Sequence, residues 1–121
     1  DLFLDTHPYN AGTTASDALK MGLPMITYLG QSYQARMGAS IVNALNLPEL
    51  ITSSIEEYEA LAIELATNPD KLEAIKDKLA TNLSTAPLFD TKLFTKNIES
   101  AYTEMYERHH KGLKPDHIYV E

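Results

Sequence analysis

Between residues 10 and 17 the chain reads Asn10-Ala11-Gly12-Thr13-Thr14-Ala15-Ser16-Asp17. A glycine turn leads into two hydroxyl side chains at a helix start, with a carboxylate one turn further on. A helix N-terminus presents unpaired N–H groups and about half a positive charge, which suits a phosphate. Ala11 and Gly12 are small enough to let an anion approach the backbone. Thr13 and Thr14 add hydroxyl donors at the same spot, and Asp17 stands where a carboxylate accepts hydrogen bonds from a ribose diol. Gly12, Thr13, Thr14 and Asp17 are therefore the candidate binding residues for a phosphate and an adjoining ribose. Ordinary capping fits the same spelling, with Thr13 as N-cap and Ser16 or Asp17 favouring the dipole in the first turn. Local grammar leaves both readings open.

These residues need elements to hold them. Leu2-Phe3-Leu4 is a short apolar run that suits a buried strand, and Pro8 to Gly12 reads as a turn. Thr13 to Met21 is predicted as a helix stopped by Gly22 and Pro24. Met25 to Leu29 is a second strand ended by Gly30. Gln34 to Asn46 is a further helix, with Met37, Ile41, Val42 and Leu45 turned inward. The order strand, helix, strand, helix implies a right-handed βαβ unit with parallel strands. Ligands of such sheets bind at the carboxyl ends of the strands, where the Gly12 turn falls.

Near residue 52 the composition changes, and the rest is helical almost to the end. Ser54 and Glu57 form a capping box ahead of a face made by Ile55, Tyr58, Leu61, Ala62 and Leu65. Asn68-Pro69 opens the next helix, backed by Leu72, Ile75 and Leu79. Asp90 caps a last long helix with the stripe Phe94, Ile98, Ala101, Tyr102 and Met105. The tail from Gly112 is polar and extended. Residues 1–52 are thus expected to form the βαβα half carrying the site, and residues 53–121 a helical region packed on it, within one domain. Two parallel strands do not make a standalone sheet. The chain is therefore expected to be part of a larger doubly wound domain, with an exposed strand edge or apolar face that drives self-association.

Composition narrows the function classes. Of 121 residues, 44% are hydrophobic and 22% charged, ordinary for a globular protein. The formal net charge of −7 argues against a nucleic-acid surface, so a phosphate ligand needs a local solution. Cysteine is absent, which removes disulfides and thiolate metal sites and fits a reducing cytoplasm, the expected location. No apolar run approaches the roughly 18 residues of a membrane span. His109 and His110 are adjacent and point apart on a helix, so no metal site is assigned. His7 reads as surface or loop packing. Arg36 reads as a bridge to an acidic partner within the fold, with a place facing the ligand site as the alternative. Tyr9, Tyr28 and Tyr33 read as residues at a domain edge, with one of them stacking on a base as the alternative.

The stretch from Asp5 to Pro24 resembles the donor-site signature of the O-linked N-acetylglucosaminyltransferase/SPINDLY family. Asp5, Thr6, Pro8, Tyr9, Asn10, Thr13, Thr14, Asp17, Leu19, Gly22 and Pro24 match it. The likeness continues through Leu29-Gly30, Arg36, Ser40, Leu47 to Ile51, Glu57-Tyr58, Pro87 to Thr91 and Gly112 to His117. It implies the C-terminal portion of a Rossmann-like lobe of the GT-B fold, in a protein whose catalytic region follows tetratricopeptide repeats. It also implies that Thr13 and Thr14 contact the diphosphate of a nucleotide sugar and that Asp17 holds its ribose. The reaction implied is transfer of a sugar to a Ser or Thr hydroxyl of an acceptor protein. The donor substrate would be UDP-GlcNAc or a related nucleotide sugar, with no cofactor. Two departures stand out: Gly12 replaces a histidine usual in GlcNAc-type members, and Gln31 stands where an acidic residue is common. The family's candidate catalytic histidine and phosphate-binding lysine belong to upstream positions, so no catalytic residue is assigned here and the isolated chain is expected to be inactive. Two alternatives remain beside the UDP-GlcNAc reading: a SPINDLY-like GDP-fucose donor, and a non-catalytic interaction module in which the Thr-Thr helix is merely capped.

Overall fold

Met25–Tyr28 forms the central strand of a three-stranded parallel sheet. The structure, a computed structural model, describes residues 1–120. In chain order its first part comprises β1 (Phe3–Leu4), α1 (Thr13–Lys20), β2 (Met25–Tyr28), α2 (Met37–Ala44), β3 (Ile51–Thr52), α3 (Ile55–Thr67) and α4 (Pro69–Leu83). Tight 3-10 turns at Gln34–Arg36 and Pro48–Leu50 lead into α2 and β3. Phe3 pairs with Met25 across β1 and β2, and Thr27 pairs with Ile51 across β2 and β3. The sequence predicted the first two strands but not β3. Two residues behind a 3-10 turn are too few to show alternation.

Met25, Ile26 and Thr27 are fully buried, so β2 is covered on both faces. Gly38 brings α2 against the Thr27 side of the strand. Helix α3 touches both β2 and β3. Ala15 and Leu19 of α1, Val42 of α2, and Leu45, Leu47 and Leu50 beyond it fill the core, joined by Leu65 of α3 and Leu79 of α4. Each large apolar side chain withdrawn from water contributes about 1.5–3 kcal/mol.

The helix ends follow local chemistry. Helix α1 stops at Lys20, one residue before the expected end, and Gly22 adopts the left-handed conformation at φ 81°. The expected helix from Gln34 begins as a 3-10 turn and becomes regular only at Met37. At α3, Ser54 Oγ accepts from Glu57 N at 3.1 Å. The Glu57 carboxylate reaches back one residue further than a standard capping box, to Ser53 N at 2.9 Å and Ser53 Oγ at 2.7 Å. Ile55 is exposed rather than inward, because the packing face of α3 begins a turn later, at Tyr58. Asn68 Oδ1 caps α4 through Lys71 N at 3.1 Å.

The chain divides into two compact units, Asp1–Leu88 and Phe89–Glu121. The compositional change near residue 52 falls inside the first unit, because α3 packs on the sheet and α4 packs on α3. The second unit is built on α5 (Thr91–His110), capped by Asp90 Oδ1 accepting from Leu93 N at 2.9 Å. No residue of α5 is buried, and Phe94, Tyr102, Met105 and Tyr106 are all exposed. Past Gly112 the tail turns back, and an Arg108 guanidinium nitrogen donates to Lys114 O at 2.9 Å. Among the described residues, no helix is long and apolar enough to cross a membrane.

Candidate functional site

The loop from Asp5 to Gly12 joins the carboxyl end of β1 to α1, and buried polar groups fix its path. Asp5 is buried, and its carboxylate is matched on both oxygens. Oδ1 accepts from Thr6 N at 2.9 Å and Ala11 N at 2.8 Å, while Oδ2 accepts from Thr27 Oγ1 at 2.7 Å. A buried carboxylate is tolerable only with such donors. The Asp5 carbonyl in turn accepts from the Tyr58 hydroxyl at 2.8 Å. Burial, and secondarily the nearby Asp5 charge, hold the Tyr58 phenol above its ordinary pKa, so it stays a donor.

Asn10 is the second buried anchor. Its Nδ2 donates to Thr6 O at 2.8 Å, its backbone N–H donates to Gln34 O at 3.1 Å, and its Oδ1 accepts from Gly38 N at 3.1 Å. Gly38 has no room for a Cβ, which would collide with Asp5 Oδ2 and Thr27 Oγ1. A Cβ on Gly30 would meet the Ala35 Cβ at 2.5 Å. Asp5 and Asn10 stood in the motif, but little in the sequence signalled that Thr27, Gly38 and Tyr58, far along the chain, complete the same scaffold. A lone threonine inside an apolar strand was the one available signal.

This scaffold delivers α1 with its first turn open. The N-cap is Gly12, at φ −106° and ψ −82°, and no side chain caps it. Thr13 is the first helical residue, so the ordinary-capping alternative, with Thr13 as N-cap, does not hold. The first backbone bond of the turn runs from Ser16 N to Gly12 O at 3.0 Å. Among the described residues nothing else accepts from the amides of Thr13, Thr14 or Ala15. Every other helix has a side-chain acceptor on a first-turn amide: Asn10 for α2, Ser54 for α3, Asn68 for α4 and Asp90 for α5. No acidic residue lies in the first turn of α1. Thr13, Thr14 and Asp17 are exposed, while Ala15 between them is buried. Spacings of three and four residues put both threonines beside Asp17 on the helix surface. The four predicted site residues are thus brought together at one open, electropositive helix end.

Gly12 also touches α2. A Cβ at this position would lie 3.0 Å from the Met37 sulfur, so the thioether occupies the space beside the helix end. Met37 lines an open cleft of about 490 Å³, together with Leu29, Tyr33, Arg36, Ser40 and Asn43. Arg36 was expected to bridge an acidic partner, yet it is exposed and forms no ion pair or side-chain hydrogen bond among the described residues. His7 packs in the loop as expected, its ring centroid 4.4 Å from that of Tyr28. Tyr9 and Tyr33 are exposed. His109 and His110 sit edge to face at 5.9 Å, and no cluster of three or more metal-binding side chains occurs among the described residues.

Comparison with known proteins places the chain. The model for "Glycosyl transferase family 41" matches residues 1–98. The chain is 40% identical to the Arabidopsis thaliana protein named "Probable UDP-N-acetylglucosamine--peptide N-acetylglucosaminyltransferase SEC", across 99% of this chain and 12% of that protein. It is 34% identical to the Caenorhabditis elegans UDP-N-acetylglucosamine–peptide N-acetylglucosaminyltransferase, across 98% of this chain and 10% of that protein. The solved structure of a Thermobaculum terrenum O-GlcNAc transferase mutant superimposes with a TM-score of 0.81 at 32% identity, covering 87% of this chain and 20% of that one. The chain therefore spans about an eighth of the length of the curated relatives. The α/β, helix-rich architecture with a parallel sheet is that of the matching stretch of an O-GlcNAc transferase. With its loop motif, its fold and nearly its whole length accounted for, the chain belongs to glycosyl transferase family 41, the O-GlcNAc transferase/SPINDLY family.

Proposed function

We propose that this chain forms the donor side of a protein O-glycosyltransferase, gripping a nucleotide sugar at the N-terminus of α1. The observation that carries the reading is the α1 end itself, the one helix start among the described residues left without a side-chain acceptor. The first-turn amides and the Thr13 and Thr14 hydroxyls face the diphosphate, and Asp17 takes the ribose hydroxyls. In transfer, the acceptor hydroxyl forms a bond to the sugar's anomeric carbon as the bond from that carbon to the diphosphate breaks. The electron pair leaves with the diphosphate oxygen. Donors already aimed at the diphosphate stabilise the charge it gains without reorganising. The base receiving the hydroxyl proton is assigned to no residue of this chain.

UDP-GlcNAc is the donor favoured by the named relatives. Gly12, which presents no side chain at the helix end, keeps a GDP-fucose-type donor as the second reading. Calorimetry of the full-length protein with UDP, GDP and their sugars tests both. The expected result is binding of one nucleotide series that weakens about 10- to 100-fold in Asp17→Ala, the cost of one hydrogen bond to a charged group. Binding that ignores Asp17 removes the ribose assignment. Full-length protein that neither binds a nucleotide nor hydrolyses a nucleotide sugar leaves a non-catalytic interaction module.

A further inference from the structure

The first unit carries eleven Asp and Glu residues against five Lys and Arg. Three of the five cations are committed: Lys71 to Glu64 at 2.6 Å, Lys76 to Glu73 at 3.4 Å and Lys78 to Glu49 at 2.6 Å. Lys20 is engaged as well. Arg36 alone, among the described side chains of this unit, has neither an acidic partner nor a hydrogen bond from its guanidinium. An unpaired cation in a strongly acidic unit is not explained by the fold around it.

Its position is specific. Arg36 is the N-cap of α2 and lines the 490 Å³ cleft with Tyr33, Met37, Ser40 and Asn43. Among the described residues, no Asp or Glu lines that cleft. Met37, the next residue, lies against Gly12, so the cleft adjoins the open end of α1. Ser40 and Asn43 follow Arg36 at helical spacing and offer hydroxyl and amide groups along one wall. Guanidinium is the side-chain group best suited to phosphate oxygens, through its planar fork of donors.

We infer that Arg36 is a phosphate contact of this site, reaching from α2 to the distal phosphate of a nucleoside diphosphate whose proximal phosphate lies on the α1 amides. The inference rests on the nucleotide-sugar reading above and adds a residue of this chain that supplies net positive charge, which helix amides alone do not. It also meets the demand set by the −7 net charge of the chain, since an anion entering a repelling field needs a local cation.

The test is calorimetry of the full-length protein with UDP and UMP, and in parallel GDP and GMP, comparing wild type, Arg36→Lys and Arg36→Met. Because Arg36 is exposed and makes no described side-chain bond, both variants are expected to fold, as circular dichroism will show. The expected result is at least a tenfold weaker diphosphate affinity in Arg36→Met, an intermediate loss in Arg36→Lys, and monophosphate affinity unchanged within about twofold. A shallower salt dependence for the diphosphate should accompany it, one counter-charge having been removed. Unchanged diphosphate affinity in Arg36→Met, with Asp17→Ala still weakening it, overturns the Arg36 assignment alone. Equal losses for monophosphate and diphosphate also overturn it, since the contact would not be distal. Wild-type protein that binds no nucleotide overturns the donor reading and this inference with it.

Discussion

Asp5 is the residue on which the loop before α1 turns, and what it needs is visible in its partners. Its carboxylate is buried and takes one donor from β2, the Thr27 hydroxyl. Thr27→Val removes that donor while keeping the shape. It should cost about 1.5–3 kcal/mol, the usual range for a hydrogen bond to a charged group, read from urea denaturation. Gly38→Ala should be worse tolerated than its single added methyl suggests. Overpacking of about 1–3 kcal/mol is expected, because both atoms in the way, Asp5 Oδ2 and Thr27 Oγ1, are already bonded to each other. The position of Gly12, Thr13, Thr14 and Asp17 at a helix start was legible in the sequence, since a glycine turn followed by hydroxyl residues is local grammar. The buried clasp beneath them was not. Its members, from Asp5 to Tyr58, lie up to 53 residues apart and meet only when the sheet and α3 have formed.

Helix starts were the elements most faithfully written in the chain. Ser54, Asn68 and Asp90 each cap the helix expected of them. Asn68→Ala should lower stability by about 1 kcal/mol. Glu57 adds a pH signature. The Ser53 hydroxyl, then the Ser53 amide, bonds its carboxylate and holds its pKa below the ordinary glutamate value. A carboxylate depressed on folding stabilises above its unfolded pKa, and that contribution disappears as pH falls through the folded pKa. Glu57→Gln should therefore melt below wild type at pH 7, with the gap closing in acid below the ordinary glutamate range. Tyr58 gives the opposite limb. Its pKa is raised, so its contribution is full below about pH 10 and is lost as pH climbs through the folded value. Tyr58→Phe should flatten the alkaline decline in melting temperature. The short strand β3 and the 3-10 entry to α2 escaped the sequence because each is about one turn or one pair of residues long, shorter than any hydrophobic period.

Taken as a molecule, the chain has one well-filled core, in the unit Asp1–Leu88, and a second unit whose helix has no fully buried residue. Phe94, Tyr102, Met105 and Tyr106 together leave an apolar stripe in water. Exposed apolar stripes of this kind promote association. The isolated 121-residue chain is expected to self-associate, and static light scattering as concentration rises checks it. Phe94→Ser with Tyr102→Ser should restore the monomer, whereas a clean wild-type monomer at high concentration counts against the stripe as the cause. The α/β class and parallel order were legible from strand and helix alternation. The division at residue 88 was not, because it depends on which helices find a packing partner rather than on composition.

The Asn10 side chain has one further consequence. It bonds Thr6 on its own loop and the Gly38 amide at the start of the following crossover helix. Loop and helix therefore cannot loosen independently. Hydrogen–deuterium exchange should find the amides of Ala11 and Gly38 opening together, with equal free energies close to those of the strand core, although neither belongs to a strand. Asn10→Ala should uncouple them, letting Ala11 exchange fast while the β2 amides stay protected.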